Sequence, residues 1–218
     1  MIMEETGFQL VYALDMNDPD QSCPESLKLS THRRRRLCGR KTDGSSCDSI
    51  VIPTNGQSYK EVRGRVVGYQ YASPDAFYIT GGWSIDDVYV DGVSITYGQN
   101  PRKHVWTLGA SVYPYKNHAA TCPGTGYGHP QPEFVGDKYF CTSGNQDPNG
   151  WETRFYDIPL WSTVTGNCGH CNSVYDVPYF CTTLPQSTTD DLELRVCANQ
   201  GLEDEDILLE SIELYIKY

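Results

Sequence analysis

A chain of 218 residues that is 39% hydrophobic and 12% aromatic, with 16 Tyr, is long and apolar enough to bury a core, which excludes a disordered polypeptide. Its formal net charge of −11 excludes nucleic acid and anionic membrane as main partners, because a phosphate surface rewards Lys and Arg and penalises carboxylates. No stretch reaches the roughly eighteen apolar residues that a spanning helix needs, so no membrane insertion is expected.

Strand-like stretches follow one another along the chain. In order they are "GFQLVYALDM", "SIVIPT", "GRVVGYQYA", "DDVYVDGVSITYG", "KHVWTLGASVYPY", "EFVGDKYFC", "TRFYDIPLW", "YFCTTL", "DLELRVC" and "ESIELYIKY". Between them stand "TNGQS", "SPDAF", "TCPGTGYGHPQPE" and "SGNQDPNG", rich in the residues that set turn dihedrals. Leu192, Leu194 and Val196 alternate with Glu193 and Arg195, and Ile212, Leu214 and Ile216 alternate with Glu213, Tyr215 and Lys217. Each segment therefore has one face for a core and one for water. The expected fold is all-β, an antiparallel β-sandwich of jelly-roll type with long disulfide-stapled loops, forming a single domain over 1–218. The Arg-rich separator around Arg33 and the Pro/Gly-rich separators read as long loops within it.

Nine cysteines are in the chain: Cys23, Cys38, Cys47, Cys122, Cys141, Cys168, Cys171, Cys181 and Cys197. With 20 Gly and 13 Pro they point to an oxidising compartment, where cross-links reinforce a loop-rich fold, so a secreted or extracellular protein is expected. The opening "MIMEETGFQLVYALDM" lacks a basic region followed by an uninterrupted apolar run, which suits a mature or trimmed form. Nine is odd, so full pairing within the chain leaves one thiol free or bonded to a partner chain. The string Cys168-Gly169-His170-Cys171 matches a disulfide-exchange motif. A reactive pair needs a helix N-terminus to stabilise its thiolate, however, and "NSVYDVPYFC" downstream has no helical periodicity. A structural pair is favoured, with zinc behind it because no second Cys-x-x-Cys follows.

Charge is unevenly placed. Arg33, Arg34, Arg35 and Arg36 are consecutive, while Asp190, Asp191, Glu193 and the run from Glu203 to Asp206 crowd the C-terminal part. The arginine run fits a processing site for a dibasic-cleaving protease or a polyanion patch, against the plainer reading of a solvated loop or strand. A cut there would leave two pieces held by disulfides.

Several stretches carry oxygen ligands or acid-plus-ring combinations. In "NQDPNGWET", Asn145, Asp147, Asn149 and Gly150 follow the alternating rhythm of a calcium loop, with Asp157 beyond the position of the closing carboxylate. One or two carboxylates imply weak, extracellular-type calcium affinity, and a polar turn is the competing account. In "WSIDDVYVDGVS", Asp86, Asp87 and Asp91 lie near Trp83 and Tyr89. Asp87, Tyr89 and Asp91 share one face of a strand, the acid-beside-ring arrangement that holds a sugar. The competing account is a hairpin with Asp-Gly at its turn. In "PRKHVW", Arg102, His104 and Trp106 share a face; Asp157 with Trp161 repeats the acid-and-ring pairing, and both it and the Asp190–Asp191 pair could instead fix a loop by accepting backbone N–H bonds. No Gly-x-Ser-x-Gly elbow, no phosphate-binding Gly loop, no Asn-x-Ser/Thr sequon and no singled-out carboxylate pair is present, so no catalytic residue and no organic cofactor are expected.

"GYQYASPDAF", "YVDGVSITYGQNPRKHVWTLGA", "FVGDKYFC", "DIPLW" and "FCTTLPQSTTDDLELRVC" followed by "ESIELYIK" together resemble a cysteine-rich extracellular module present in many copies in marine invertebrates. That module often follows a fibrinogen-like opening, which residues 1–30 resemble, with Phe8 and Gln9 where a Gly-Trp-like pair is expected. The resemblance covers nearly the whole chain and implies an extracellular location without a catalytic site. Where the module carries Val-Cys-Gly this chain has Val62-Arg63-Gly64, which implies that one cysteine has lost its partner. The reading that follows is a non-enzymatic, lectin-like or adhesive module. Trp83, Asp86, Asp87, Tyr89, Asp91, Arg102, His104 and Trp161 would meet carbohydrate or glycoprotein, with calcium at Asn145, Asp147, Asn149 and Asp157. The alternative is a structural matrix protein that forms homo-oligomers through surface contacts and an interchain disulfide.

Overall fold

A computed structural model describes residues 7–32, 34–70, 91–110, 139–142, 180–198, 201–202 and 207–218. Every regular element among them is a strand: β1 (Gln9–Asp15), β2 (Lys28–His32), β3 (Arg35–Gly39), β4 (Ser46–Ile52), β5 (Tyr59–Gln70), β6 (Asp91–Tyr97), β7 (Lys103–Ala110), β8 (Tyr139–Thr142), β9 (Phe180–Thr188), β10 (Leu192–Ala198) and β11 (Ile207–Lys217). They form a six-stranded sheet in the order β2-β3-β11-β5-β9, with β1 also on β11, and a five-stranded sheet in the order β4-β10-β6-β7-β8. Setting aside β1, β2 and β8 leaves β3-β11-β5-β9 facing β4-β10-β6-β7. The chain passes from one sheet to the other at β3–β4, β4–β5, β5–β6, between β7 and β9, and at β9–β10 and β10–β11, which is jelly-roll topology. All pairings are antiparallel except β7 with β8.

The alternation in the sequence sets which face turns inward. Leu192, Leu194 and Val196 of β10 and Ile212, Leu214 and Ile216 of β11 are buried, joined by Val62 and Val66 of β5, Val93 and Ile95 of β6, and Ile52 of β4. Their outward neighbours on β10 and β11 are polar and half-buried, as a sheet with one wet face requires. The two sheets meet most directly where β7 passes β9. Trp106 stacks on Phe180 with ring centroids 4.6 Å apart and planes 12° off parallel. The β6–β7 register slips between Ile95 and Thr96, so Val105 is an extra residue on β7. Its carbonyl turns toward β9 and accepts a hydrogen bond from the Thr182 hydroxyl at 3.0 Å. Phe180 reaches Trp106 by lying over Gly64 of β5, where a Cβ would come within 2.4 Å of the ring and 2.5 Å of Leu214.

Two expectations are corrected. The Arg-rich separator is the β2–β3 hairpin and not a long loop, with His32 paired to Arg35 and only two residues between them. Arg34 occupies the tip with φ 69°, and Arg36 turns back to give hydrogen bonds to the carbonyls of Asp18 and Pro19 (both 2.9 Å) and Gln21 (2.6 Å). Arg35 lies 3.8 Å from Glu210, and Leu37 is fully buried, so the second half of the run, Arg35 and Arg36, is the start of a clamped strand. Its sequence hides this because Leu37, Cys38 and Gly39 are buried consecutively, which erases the period of two. Asp91-Gly92, offered as a hairpin turn, instead lies inside β6, with Gly92 between Cys197 of β10 and Gly109 of β7.

One cystine, Cys47–Cys197, joins directly opposed residues of β4 and β10 with Cα atoms 4.1 Å apart. A second, Cys23–Cys38, ties the loop after β1 to β3 and closes a loop that contains the arginine hairpin. Cys181 is also disulfide-bonded. It lies directly across the β5–β9 ladder from Arg63, the position at which the resembling module carries a cysteine. The thiol that the Arg63 departure implies as partnerless is therefore not Cys181. The side chains of Cys122, Cys141, Cys168 and Cys171 lie outside the described residues.

Candidate functional site

The two ends of the sandwich differ. At one end the connections are short: residues 53–58 join β4 to β5, 98–102 join β6 to β7, and 189–191 join β9 to β10. Asn55 and Gly56 both have positive φ (54° and 73°), as a type I′ turn demands, and Gln57 N–H closes the turn on the Thr54 carbonyl at 3.0 Å. Asp191 accepts the Thr54 N–H at 2.8 Å, and the Thr54 and Tyr59 hydroxyls donate to the carbonyls of Thr189 and Asp190 at 3.1 and 2.9 Å. Of the two readings of the Asp190–Asp191 pair, Asp191 takes the loop-fixing one. Burial, then the charge of Asp190, raises the Tyr59 phenol well above its ordinary value, so Tyr59 stays neutral and donating.

The opposite end is where β5 stops at Gln70, β6 begins at Asp91 opposite Ala110, and β8 stops at Thr142 beside Ala110. Segments 71–90, 111–138 and 143–179 therefore depart from one end of the frame. Trp83, Asp86, Asp87 and Tyr89 belong to the first segment, and Asn145, Asp147, Asn149, Asp157 and Trp161 to the third; all lie outside the described residues. Asp91 joins them as the first residue of β6.

The described part of this end is the β3–β4 loop, built around a buried arginine. Arg40, only 3% exposed, points its guanidinium at the carbonyls of Thr42 (2.7 Å) and Gly44 and at the Ser46 hydroxyl (2.8 Å). Asp48 accepts the Thr42 N–H at 2.8 Å, the Thr42 hydroxyl at 2.6 Å and the Lys41 N–H. Burial pushes the Asp48 carboxyl up, but the Thr42 hydroxyl, the two amides and the Arg40 charge outweigh it and hold the group below its ordinary value. Asp43 accepts the Leu202 N–H at 3.0 Å and the Gly44 N–H at 2.8 Å, and these two bonds hold its carboxyl down as well. The β3–β4 and β10–β11 connections are thus pinned to each other through fixed charges, a rigid rim beside the long segments. Among the described residues no group of three or more His, Cys, Asp or Glu is gathered so as to hold a metal. The calcium expectation concerns residues outside that set.

Arg102 and His104 belong to the other end. His104 pairs with Thr96, five residues along β6 from Asp91, a separation of roughly 17 Å in a strand. Asp91 and the Arg102–His104 pair, grouped in the sequence in one ligand set, are therefore at opposite ends of the β6–β7 pair. Arg102 is committed to Glu193 of β10, giving bonds of 2.9 Å from Nε and 3.4 Å from Nη2, while Thr96 adds its hydroxyl to the same carboxylate at 3.3 Å. Burial pushes the Glu193 carboxyl up, but hydrogen bonds from Arg102 and Ser49 and the charges of Arg102 and Arg195 outweigh it and depress the group. The His104 ring lies 3.5 Å from the Ser94 hydroxyl, which is itself fully buried 3.2 Å from Thr107. A buried serine is closed to substrate, so this pair is a structural contact. Trp106, expected on the same face as Arg102 and His104, turns to the core, because the extra residue Val105 flips the alternation.

Glu193 and the Arg40–Asp48 pair were not singled out in the sequence. Glu193 reads there as the wet position of an alternating strand, and only its register with Thr96 reveals its partner. Because Asp48 and Glu193 titrate lower folded than unfolded, the unfolded chain takes protons first as pH falls. Their stabilisation is complete above the ordinary carboxylate range, and is lost as pH falls through the depressed folded values. Urea midpoints should hold steady from pH 7 to about 5 and decline below about pH 4. Glu193→Gln should make that decline shallower, and a decline as steep as that of the parent would remove Glu193 from this role.

Compared with protein-family models, with curated proteins and with solved structures, the chain matches none.

Proposed function

We propose that the chain is an extracellular, non-catalytic binding module, lectin-like or adhesive, that recognises carbohydrate or a matrix glycoprotein through the end of the frame from which segments 71–90, 111–138 and 143–179 depart. The observation that carries this reading is the asymmetry of the frame: tight turns at one end, and segments 71–90, 111–138 and 143–179 all departing from the other. Binding residues concentrate on loops held by a rigid scaffold, because the frame absorbs the ordering cost while the loops vary. Trp83, Asp86, Asp87, Tyr89 and Trp161 bring rings and carboxylates to those segments, the pairing that meets a sugar's C–H face and its hydroxyls. Asn145, Asp147, Asn149 and Asp157 bring the oxygen donors for a weakly held calcium. Disulfide bonds at Cys23–Cys38 and Cys47–Cys197, and the resemblance to the marine-invertebrate module, support an oxidising, extracellular setting.

The reading is tested on a broad glycan array with calcium and with a chelator. Selective binding that Asp86→Ala and Trp83→Ala weaken is the expected result. Loss on chelation and in Asp147→Ala assigns calcium to the second group, and an empty array under both conditions overturns the lectin reading. A structural matrix role is the second reading, favoured by the odd count of nine cysteines. Reducible oligomers on non-reducing electrophoresis would carry it.

A further inference from the structure

Among the described residues strand β9 is an edge of the six-stranded sheet, and its sequence "CTTLPQST" continues into Thr189. Its pairing with β5 is interrupted: Thr183 opposes Glu61 and Thr188 opposes Tyr59, so Leu184, Pro185, Gln186 and Ser187 stand against the single residue Lys60. Four residues against one push the strand out of the ladder there. Pro185 has no N–H for a neighbouring strand and holds the backbone extended. Leu184 still turns into the core, which anchors the bulge, while Pro185, Gln186 and Ser187 are all exposed.

The hydroxyls of this segment divide cleanly. Thr182 is buried and gives its hydrogen bond to the Val105 carbonyl, and Thr188 is half-buried and accepts the Asp190 N–H at 3.1 Å. Thr183, Ser187 and Thr189 are exposed and make no side-chain hydrogen bond among the described residues. Of these three, Thr183 lies in the paired part of the ladder, and the Thr189 carbonyl is held by Thr54. Ser187 combines an exposed hydroxyl with a place in the bulge two residues after Pro185, where its backbone is outside the regular ladder.

We propose that Ser187 is an acceptor for O-linked glycosylation, taking an N-acetylhexosamine from a nucleotide sugar. A transferase that modifies Ser or Thr threads its acceptor as an extended, accessible segment, and Ser/Thr-rich sequence with Pro is the composition such segments have. In the reaction the Ser187 Oγ forms a bond to the anomeric carbon, the bond from that carbon to the nucleotide phosphate breaks, and the hydroxyl proton leaves with the released nucleotide. A sugar at Ser187 would cover the open edge of β9, where unpaired backbone otherwise offers a template for pairing with another chain. The inference rests on the extracellular reading only for the compartment in which the transfer takes place.

The test uses the full chain, folded with its disulfides and free of glycan. It is incubated with a polypeptide N-acetylgalactosaminyltransferase and UDP-N-acetylgalactosamine, then read by intact mass and by fragment mapping. Addition of N-acetylhexosamine mapping to Ser187, lost in Ser187→Ala and kept in Thr183→Ala, is the expected result. No addition to the folded chain, addition confined to sites other than Ser187, or addition only after reduction and unfolding would overturn it. Export of the chain from cells fused to a secretion leader separates the two readings. Secreted protein unmodified at Ser187 would overturn the glycosylation and leave the extracellular module standing.

Discussion

Replacing Cys47 and Cys197 together by Ala should lower the unfolding free energy by about 5 kcal/mol, the chain-entropy value for so wide a loop. The sequence separation is 150, and the bond joins β4, an edge strand, to β10 in the middle of its sheet. Without it the unfolded chain regains the freedom of that whole span, while the folded chain keeps its ladder from Leu192–Ile52 to Ala198–Ser46. The Cys23–Cys38 bond has a separation of 15, and its double Ala variant should lose about 3 kcal/mol on the same relation. Urea unfolding of both variants beside the parent measures the difference. The loss should be larger for the wide loop. Equal losses, or a larger one for Cys23–Cys38, would mean that packing around the sulfurs and not chain entropy sets the contribution. The narrower bond also holds the arginine hairpin, so its loss should loosen the grip of Arg36 on the Asp18–Gln21 carbonyls as well.

Gly64→Val should destabilise the fold by about 3 kcal/mol, at the upper end for overpacking a core. A Cβ at this position meets Phe180 at 2.4 Å and Leu214 at 2.5 Å, both too close, and neither neighbour can yield freely. Phe180 is held flat by its stack on Trp106, and Leu214 is fully buried between the sheets. The strain therefore reaches the contact that joins β7 to β9, including the Thr182 bond to Val105. Phe180→Ala alone should cost about 3–5 kcal/mol through the cavity it leaves. In the double variant the valine occupies part of that cavity, so the two losses should fall short of additive by roughly 1 kcal/mol or more. Thermal or urea unfolding of the three variants closes the cycle. Additive losses would show that Gly64 and Phe180 act separately and that the close approach is relieved elsewhere.

The strands with strict alternation were legible. Segments 191–197 and 210–218 carry a period of two because each has one face on the core and one on water, and both are strands in that register. The β2–β3 hairpin was not legible, because a clamp of backbone carbonyls around Arg36 leaves no trace in a run of four arginines. Asp91-Gly92 has the composition of a turn. Its place in β6 is set by pairing with β10 and β7, a register between positions 92 and 197 that no local window contains. Trp106 was assigned to the wrong face for a similar reason: one extra residue at Val105, set by the partner strand, inverts everything after it.

The sequence by itself determined the class of this protein: an all-β chain with alternating strands, turn-rich separators and cysteines suited to an oxidising compartment. These follow from local periodicity, turn chemistry and composition, which each residue carries with it. The tertiary structure alone decided the jelly-roll strand order, the pairing of Cys47 with Cys197, and the ion pair of Arg102 with Glu193. It also decided that Asp91 and His104, thirteen positions apart in the chain, stand near opposite ends of one strand pair. Register and sheet order are set by which distant faces bury each other, and that energy belongs to pairs of segments, not to any one of them.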